Sequence, residues 1–162
     1  MKTELQKLLI EAENLQEQNK KFFAYLRKKK PKNLDYIVHE LHLEAFDKIN
    51  CLECANCCKS LGPRITDKDI EKLSKALKMK SAVFIETYLR IDEDRDFVFR
   101  TMPCPFLMND NYCMVYENRP KACREYPHTD SRQFYKLLNL TLQNTKTCPA
   151  VVLIVEELKT KV

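Results

Sequence analysis

The sequence predicts a mainly α fold, in which an N-terminal helical hairpin packs on a small cysteine-rich, metal-organised domain with one short β-hairpin. Three observations carry this prediction. Apolar residues recur at helical spacing through the N-terminal third, eight cysteines lie in the remainder, and Gly62 is the one glycine among 162 residues. Folds rich in tight β-turns need more glycine than this. The loops that bind nucleotide phosphates also need several glycines, so they are excluded.

Residues 1–48 form the predicted helical hairpin. Apolar side chains fall on one stripe from Leu5 to Leu26, and Pro31 ends this helical pattern. A second stripe of the same period follows over residues 34–49. Packing onto the rest of the chain is the favoured use of these stripes. The alternative is that residues 1–48 hold a protein partner.

Residues 49–162 form the predicted cysteine-cluster domain, which is expected to make one compact unit with the hairpin. Thr66 is expected to cap a helix whose first turn carries Asp67 and Asp69, where negative charge favours the helix dipole. Further elements are expected as a short helix from Ser81, a strand over residues 97–100, a short helix from Pro120 and a final helix from near Pro149.

The cysteines are the candidate metal ligands. Four form a C-x-x-C-x-x-C-C cluster and four follow at wide spacing: Cys51, Cys54, Cys57, Cys58, Cys104, Cys113, Cys123 and Cys148. The C-x-x-C spacing lets two thiolates face one ion, and nearby thiolates can enclose it. Four buried hydrophobic cysteines would not be expected within eight residues, so metal binding is favoured. The segment that holds the cluster is expected to be mostly irregular backbone.

The spacing leaves the metal open between zinc and iron. Eight thiolates suffice for two closed tetrahedral zinc sites. Alternatively, Cys51, Cys54 and Cys57 have the spacing that wraps three corners of a [4Fe–4S] cluster, whose fourth ligand usually precedes a proline. Both Cys104 and Cys148 precede a proline. Because both metals accept thiolate tetrahedra, the native metal, its nuclearity and the pairing of cysteines into sites stay open.

The composition favours a compartment that keeps thiols reduced. The N-terminus is too polar for a signal peptide, and the longest apolar run, residues 150–155, is too short to span a membrane. We therefore expect a cytoplasmic protein with no membrane partner, whose thiols bind metal rather than form disulfides.

The net charge is +5, and residues 28–30 are a run of three lysines. No aromatic residues interleave with them, so nucleic acid is not the expected partner.

Three segments carry a family resemblance: CLECANCC, CPFL and CMVYENRPKACREYP, within about residues 50–130, with Cys148-Pro149 as a further element. They resemble the YkgJ-type cysteine-cluster proteins, a family of zinc- or iron-chelating domains. The matching positions are Cys51, Cys54, Cys57, Cys58, Cys104, Cys113, Tyr116, Arg119, Pro120, Cys123, Arg124, Tyr126 and Pro127. The resemblance implies metal chelation. The wider group includes flagellin lysine-N-methylase, which suggests a link to methyl transfer, although this chain lacks the extra length of such an enzyme.

Arg119 and Arg124 flank Cys123 and are candidate cofactor-binding residues. A guanidinium beside thiolates can stabilise their charge or clamp a carboxylate substrate, and the alternative is a structural ion pair. His39 and His42 lack a supporting metal motif and are interpreted as exposed or capping residues. Three functions remain: a metal-binding module, an iron–sulfur redox or methyl-transfer enzyme, and a zinc-stabilised adaptor. Whether the chain is an enzyme stays open.

Overall fold

A computed structural model describes the backbone of residues 2–162 and the side chains of residues 3–162. In chain order its helices and strands are α1 (Lys2–Asn14), α2 (Gln16–Lys29), α3 (Leu34–Lys48), α4 (Cys51–Cys54), α5 (Asn56–Ser60), α6 (Asp67–Ala76), α7 (Ser81–Tyr88), β1 (Leu89–Ile91), β2 (Phe97–Phe99), α8 (Lys121–Glu125), α9 (Leu138–Asn144) and α10 (Pro149–Lys161). The predicted mainly α fold with a short β-hairpin is confirmed.

The chain divides into two compact units. Unit 1 comprises the chain up to Cys54 together with Pro127–Val162, and unit 2 comprises Ala55–Tyr126. The boundary predicted between residues 48 and 49 falls inside unit 1, directly after α3, and stays a prediction. Each unit has its own cluster of buried hydrophobic side chains.

Unit 1 is a helical unit in which α10 packs on α3 and α1. The helix predicted to run up to Pro31 is divided at Leu15, which has turn geometry (φ −94°, ψ 4°). The apolar stripes of the N-terminal helices supply core side chains such as Phe23 and Leu26, which pack with Val155 of α10. The stripes are therefore used within unit 1. As predicted, α10 begins at proline, whose fixed φ suits the first helical position.

A loop over residues 128–134 is held against α3 by polar side chains one helical turn apart. The carboxylate of Asp35 accepts hydrogen bonds from the backbone N–H groups of Gln133 (2.7 Å) and Phe134 (2.8 Å). His42 Nδ1 pairs with Thr129 Oγ1 at 2.8 Å, and His39 Nδ1 bonds to the carboxylate of Asp130. The two histidines thus fix a loop, and their structural interpretation is consistent with these contacts.

Unit 2 is built around α6, α7 and the hairpin β1–β2. Thr66 caps α6 as predicted, in a complete capping box with Asp69. The strands pair antiparallel with Leu89 opposite Phe99, and β2 lies within the predicted strand. Phe106 is almost fully buried in the core and contacts the rings of Phe84, Tyr88 and Phe99 at centroid distances of 5.0–6.4 Å.

The C-x-x-C-x-x-C-C segment differs from the prediction of mostly irregular backbone. It contains two short helices, α4 and α5. The N-cap of α5 is Ala55, which takes a left-handed conformation with φ 46°. A single left-handed residue lets the chain start a new helix immediately, which sequence propensity does not reveal because this conformation usually requires glycine or asparagine.

Candidate metal centre

Four thiols of unit 2 come from four separate segments: Cys58 of α5, Cys104 and Cys113 of loops, and Cys123 of α8. Every pair among these four interacts electrostatically, since in each pair the negative charge of one thiolate raises the pKa of the other thiol. The backbone ties the segments together. The N–H of Cys104 donates to the carbonyl of Cys58 at 2.8 Å, and Leu107 forms an antiparallel bridge with Cys113. Four soft donors are thereby gathered in one place.

The hydrophobic core positions two of these sulfurs. The backbone N–H groups of Phe106 and Leu107 favour the thiolate of Cys104, and that of Val115 favours the thiolate of Cys113. Phe106 and Val115 also bury their side chains in the unit 2 core. The residue that anchors each loop therefore also presents an N–H group to the sulfur two positions before it. Such N–H groups stabilise metal-bound thiolates.

The position of Cys123 is set by the start of α8. Its N–H donates to the carbonyl of Pro120 at 3.0 Å. The N–H of Lys121 donates to the carboxylate of Asp69 in α6 at 3.0 Å, and the second oxygen of that carboxylate accepts the N–H of Thr66 at 2.9 Å. The buried Asp69 thus links the capping box of α6 to the helix that carries the thiol.

The four thiols differ in how readily they ionise. The pKa of Cys58 is lowered to about 7, chiefly by a hydrogen bond with Cys57 and also by the positive charges of Arg119 and Lys59, against the opposing effect of burial. Burial raises the pKa of Cys104 to about 11 and that of Cys123 to about 12. A thiolate is the ligand form of cysteine. One of the four is thus partly ionised near neutral pH, and the others need a cation to displace their protons.

Arg119 is a cation whose charge acts on three of these thiols. Its Nε donates to the carbonyl of Tyr116 at 2.9 Å, and its guanidinium lies 3.8 Å from the centre of the Tyr116 ring. Its charge lowers the pKa values of Cys58, Cys113 and Cys123. Arg124, the second sequence candidate, is exposed on α8. The geometry therefore distinguishes two arginines that the sequence treats alike.

Unit 1 contains a second group of thiols: Cys51 and Cys54 of α4, and Cys148 at the start of α10. The pKa of Cys148 is raised to about 12, chiefly by burial and also by the charges of Cys51 and Cys54. The backbone N–H groups of Ala150 and Val151, at the N-terminus of α10, oppose this effect and favour the thiolate. Cys148 therefore lies at the positive end of a helix, within electrostatic reach of Cys51 and Cys54.

The donor chemistry of both groups suits a thiophilic metal such as zinc or iron. Over residues 2–162, however, no three His, Cys, Asp or Glu side chains are arranged to hold an ion. A backbone hydrogen bond already joins the segments of Cys58 and Cys104. The donor set fits zinc or iron by its chemistry, and the thiols of unit 2 lie within electrostatic reach of one another.

Sequence reasoning missed the residues that support these thiols. Asp69 is recognisable as a helix-start acid, but its bond to Lys121, 52 positions away, leaves no local signal. Phe106 and Val115 did leave a local signal, since each is an apolar residue two positions after a cysteine.

Among residues 2–162, every helix is too short or too polar to span a membrane.

Comparison with known proteins gives one match. Residues 50–149, more than half of the chain, match the CxxCxxCC family, described as a "putative zinc- or iron-chelating domain". The matched range contains all eight cysteines and both arginines discussed above. No curated protein and no solved structure matches the chain. The family match supports metal binding, with zinc or iron as the ion.

Proposed function

This chain belongs to the CxxCxxCC family, and we propose that it chelates zinc or iron in unit 2 through the thiolates of Cys58, Cys104, Cys113 and Cys123. One observation carries the proposal: all four thiols, from four segments, lie within electrostatic reach of one another. Isolated buried cysteines would have no reason to converge in this way. A tetrahedral thiolate site is the arrangement that four such donors can form.

The ion would hold unit 2 together as well as being bound. The hydrophobic core of this unit has eight buried residues. Among the described residues, the regular secondary structure between β2 and α8 is limited to one 3₁₀ turn at Tyr116–Asn118. A core of this size gives limited stability in a unit of about 70 residues. Cross-linking α5, two loops and α8 through one ion adds the binding free energy of the metal to the folding free energy.

Arg119 has a defined part in this proposal. Four thiolates around a divalent ion leave a net charge of −2, and the guanidinium beside Cys58, Cys113 and Cys123 offsets part of it. Its stacking on Tyr116 and its bond to the Tyr116 carbonyl restrict the side chain to that place. We include Arg119 among the cofactor-binding residues on this ground. Arg124 remains a sequence candidate only.

The unit 1 thiols supply a second set of donors. Cys51, Cys54 and Cys148 would give three thiolates to another ion, with the N-terminus of α10 stabilising the charge of Cys148. Cys57, hydrogen-bonded to Cys58, is the eighth candidate ligand. Zinc in these sites would supply structural cross-linking, and an iron–sulfur cluster would supply electron transfer. Chelation by free thiolates requires a reducing compartment, in agreement with the predicted cytoplasmic location.

The test combines metal analysis with cysteine variants of the full chain purified without oxygen. We expect bound zinc or iron in the wild type. Cys123→Ser should lose the unit 2 metal and keep that of unit 1, and Cys148→Ser should show the reverse. Ser60→Ala is the control, because Ser60 lies on α5 beside the site and bonds only to the carbonyl of Asn56 among its described partners.

The outcomes separate the alternatives. A colourless protein with stoichiometric zinc supports a structural zinc site. A brown protein with iron and sulfide supports the hypothesis of an iron–sulfur cluster. Protein that holds no metal after anaerobic purification, or Cys123→Ser protein with unchanged metal content, contradicts the proposal. The adaptor function has weaker support, because apolar side chains of residues 1–48 such as Phe23 and Leu26 are buried in the core of unit 1.

A further inference from the structure

Unit 1 has an open cleft of about 320 Å³ between the α2–α3 turn and the segment around residue 134. The residues that line it include Lys30, Lys32, Asp35, Gln133 and Tyr135. A volume of this size is at the lower end of the range that small-molecule and nucleotide sites occupy. None of these residues belongs to the thiol groups, and Lys30, Lys32 and Asp35 lie outside the family match over residues 50–149, so the cleft is distinct from the proposed metal sites.

The cleft is electropositive. Lys30 and Lys32 are exposed on one wall. Lys29 and Arg132 directly adjoin lining residues in sequence, and Lys28 precedes Lys29. The lysines that form ion pairs in the described residues lie elsewhere, at Lys20, Lys121 and Lys159.

One acidic side chain, Asp35, also lines the cleft. Both of its oxygens accept backbone N–H groups of the opposite wall, from Gln133 and Phe134. These bonds orient the carboxylate toward the protein backbone, so Asp35 joins the two walls of the cleft. The positive charges exceed this single negative charge, and an anion is the ligand that they favour.

Aromatic rings accompany the lysines. Tyr135 lines the cleft with 41% of its surface exposed, and Lys136 Nζ lies 5.9 Å from the centre of its ring. Tyr25, 40% exposed, is contacted in the same way by Lys29 at 5.3 Å. The sequence around the lysine run lacks interleaved aromatic residues, but the fold brings Tyr135 to the same cleft from about 100 positions away. Aromatic rings beside cations are the elements that bind unpaired bases and their phosphates.

We propose that this cleft binds single-stranded nucleic acid, with the phosphodiester backbone along the lysines and one base stacked on Tyr135. The positive charge extends beyond the cleft to Lys28 and Lys29, which favours a polymer over a mononucleotide. The exposed apolar surface of this patch comes from tyrosines rather than aliphatic side chains, which favours bases over the acyl chains of a bilayer.

The test measures fluorescence anisotropy of labelled single-stranded oligonucleotides of about 15 residues, as RNA and as DNA, with the full metal-loaded chain. Lys30→Glu/Lys32→Glu should weaken binding by more than about tenfold at low salt. It should also reduce the slope of log K against log salt by about 1.4, since each phosphate contact to a single strand contributes about 0.7. Tyr135→Ala should weaken binding on the order of tenfold, and Tyr135→Phe should not.

The chain offers a matched control in Lys78→Glu/Lys80→Glu. These lysines are also two residues apart and exposed, and Lys78, like Lys30, has positive φ just after a helix (55° and 43°). The control therefore makes the same change in net charge at an equivalent backbone position of unit 2.

Three results would overturn the proposal: no binding of either oligonucleotide at low salt, an equal loss in the control pair, or binding to anionic lipid vesicles without binding to oligonucleotides. If circular dichroism shows that the charge-reversed cleft variant is unfolded, the two Tyr135 variants decide. Equal binding by Tyr135→Ala and Tyr135→Phe would then refute stacking in the cleft.

Discussion

Replacement of Asp69 by alanine tests how unit 2 positions its thiols. The carboxylate is 4% exposed and accepts two backbone N–H groups, from Thr66 at 2.9 Å and from Lys121 at 3.0 Å. Each hydrogen bond to a charged acceptor contributes about 1.5–3 kcal/mol. The Thr66 N–H is only partly buried and can turn to water, so we expect Asp69→Ala to lower the free energy of unfolding by about 3 kcal/mol.

Asp67→Ala is the matched control. Both aspartates lie in the first turn of α6, where negative charge favours the helix dipole, but Asp67 is exposed. Its loss should cost less than about 1 kcal/mol. Asp69→Asn keeps one acceptor oxygen and should fall between the two. Urea unfolding of the metal-loaded protein, monitored by circular dichroism, gives the three values.

The same substitution should weaken the metal site. Lys121 lies two residues before Cys123, so the loss of its bond to Asp69 loosens the start of α8. Residues that support metal ligands commonly change affinity by about 10- to 100-fold, and we expect a loss near tenfold in competition with a chelator. If Asp69→Ala and Asp67→Ala cost the same and neither changes metal affinity, Asp69 does not position Cys123.

The remaining predictions concern charge and pH. Arg119→Gln should weaken metal binding and raise the pKa of Cys58 above about 7, which thiolate absorbance measures. Arg124→Gln should change neither the metal affinity nor this pKa. Equal effects of the two variants would contradict the role given to Arg119. Metal binding to the four unit 2 thiols should release about four protons below pH 7 and about three above it, because Cys58 alone ionises near neutrality. The metal affinity should therefore rise with pH. Calorimetry in buffers of different ionisation enthalpy counts the released protons, and a pH-independent affinity would contradict thiolate ligation. Burial lowers the pKa of His42 below its ordinary 6.5, so its contribution to stability is present above pH 6.5 and lost as the pH falls through the lowered pKa. His42→Gln should therefore reduce the change of the unfolding free energy with pH over that range. An unchanged pH profile would show that His42 does not cause this pH dependence.

The local features of the fold could be predicted from the sequence because they depend on neighbouring residues. Apolar periodicity predicted the helical content, Thr66 predicted the cap of α6, and Pro149 predicted the start of α10. Periodicity did not predict the break at Leu15, because the apolar stripe continues through it. It also did not predict helices in the cysteine cluster, since the left-handed Ala55 that starts α5 carries no glycine signal.

By itself the sequence determined the donor chemistry: eight thiols, four of them within eight residues, which suit zinc or iron. Only the tertiary structure decided the grouping, with Cys58 beside Cys104, Cys113 and Cys123 in unit 2 and the pair from α4 beside Cys148 in unit 1. The reason is physical. The chemistry of a side chain is a property of each residue. The distance between sulfurs that are tens of residues apart depends instead on how buried side chains such as Phe106 anchor their loops in the core, and no local sequence pattern specifies that core.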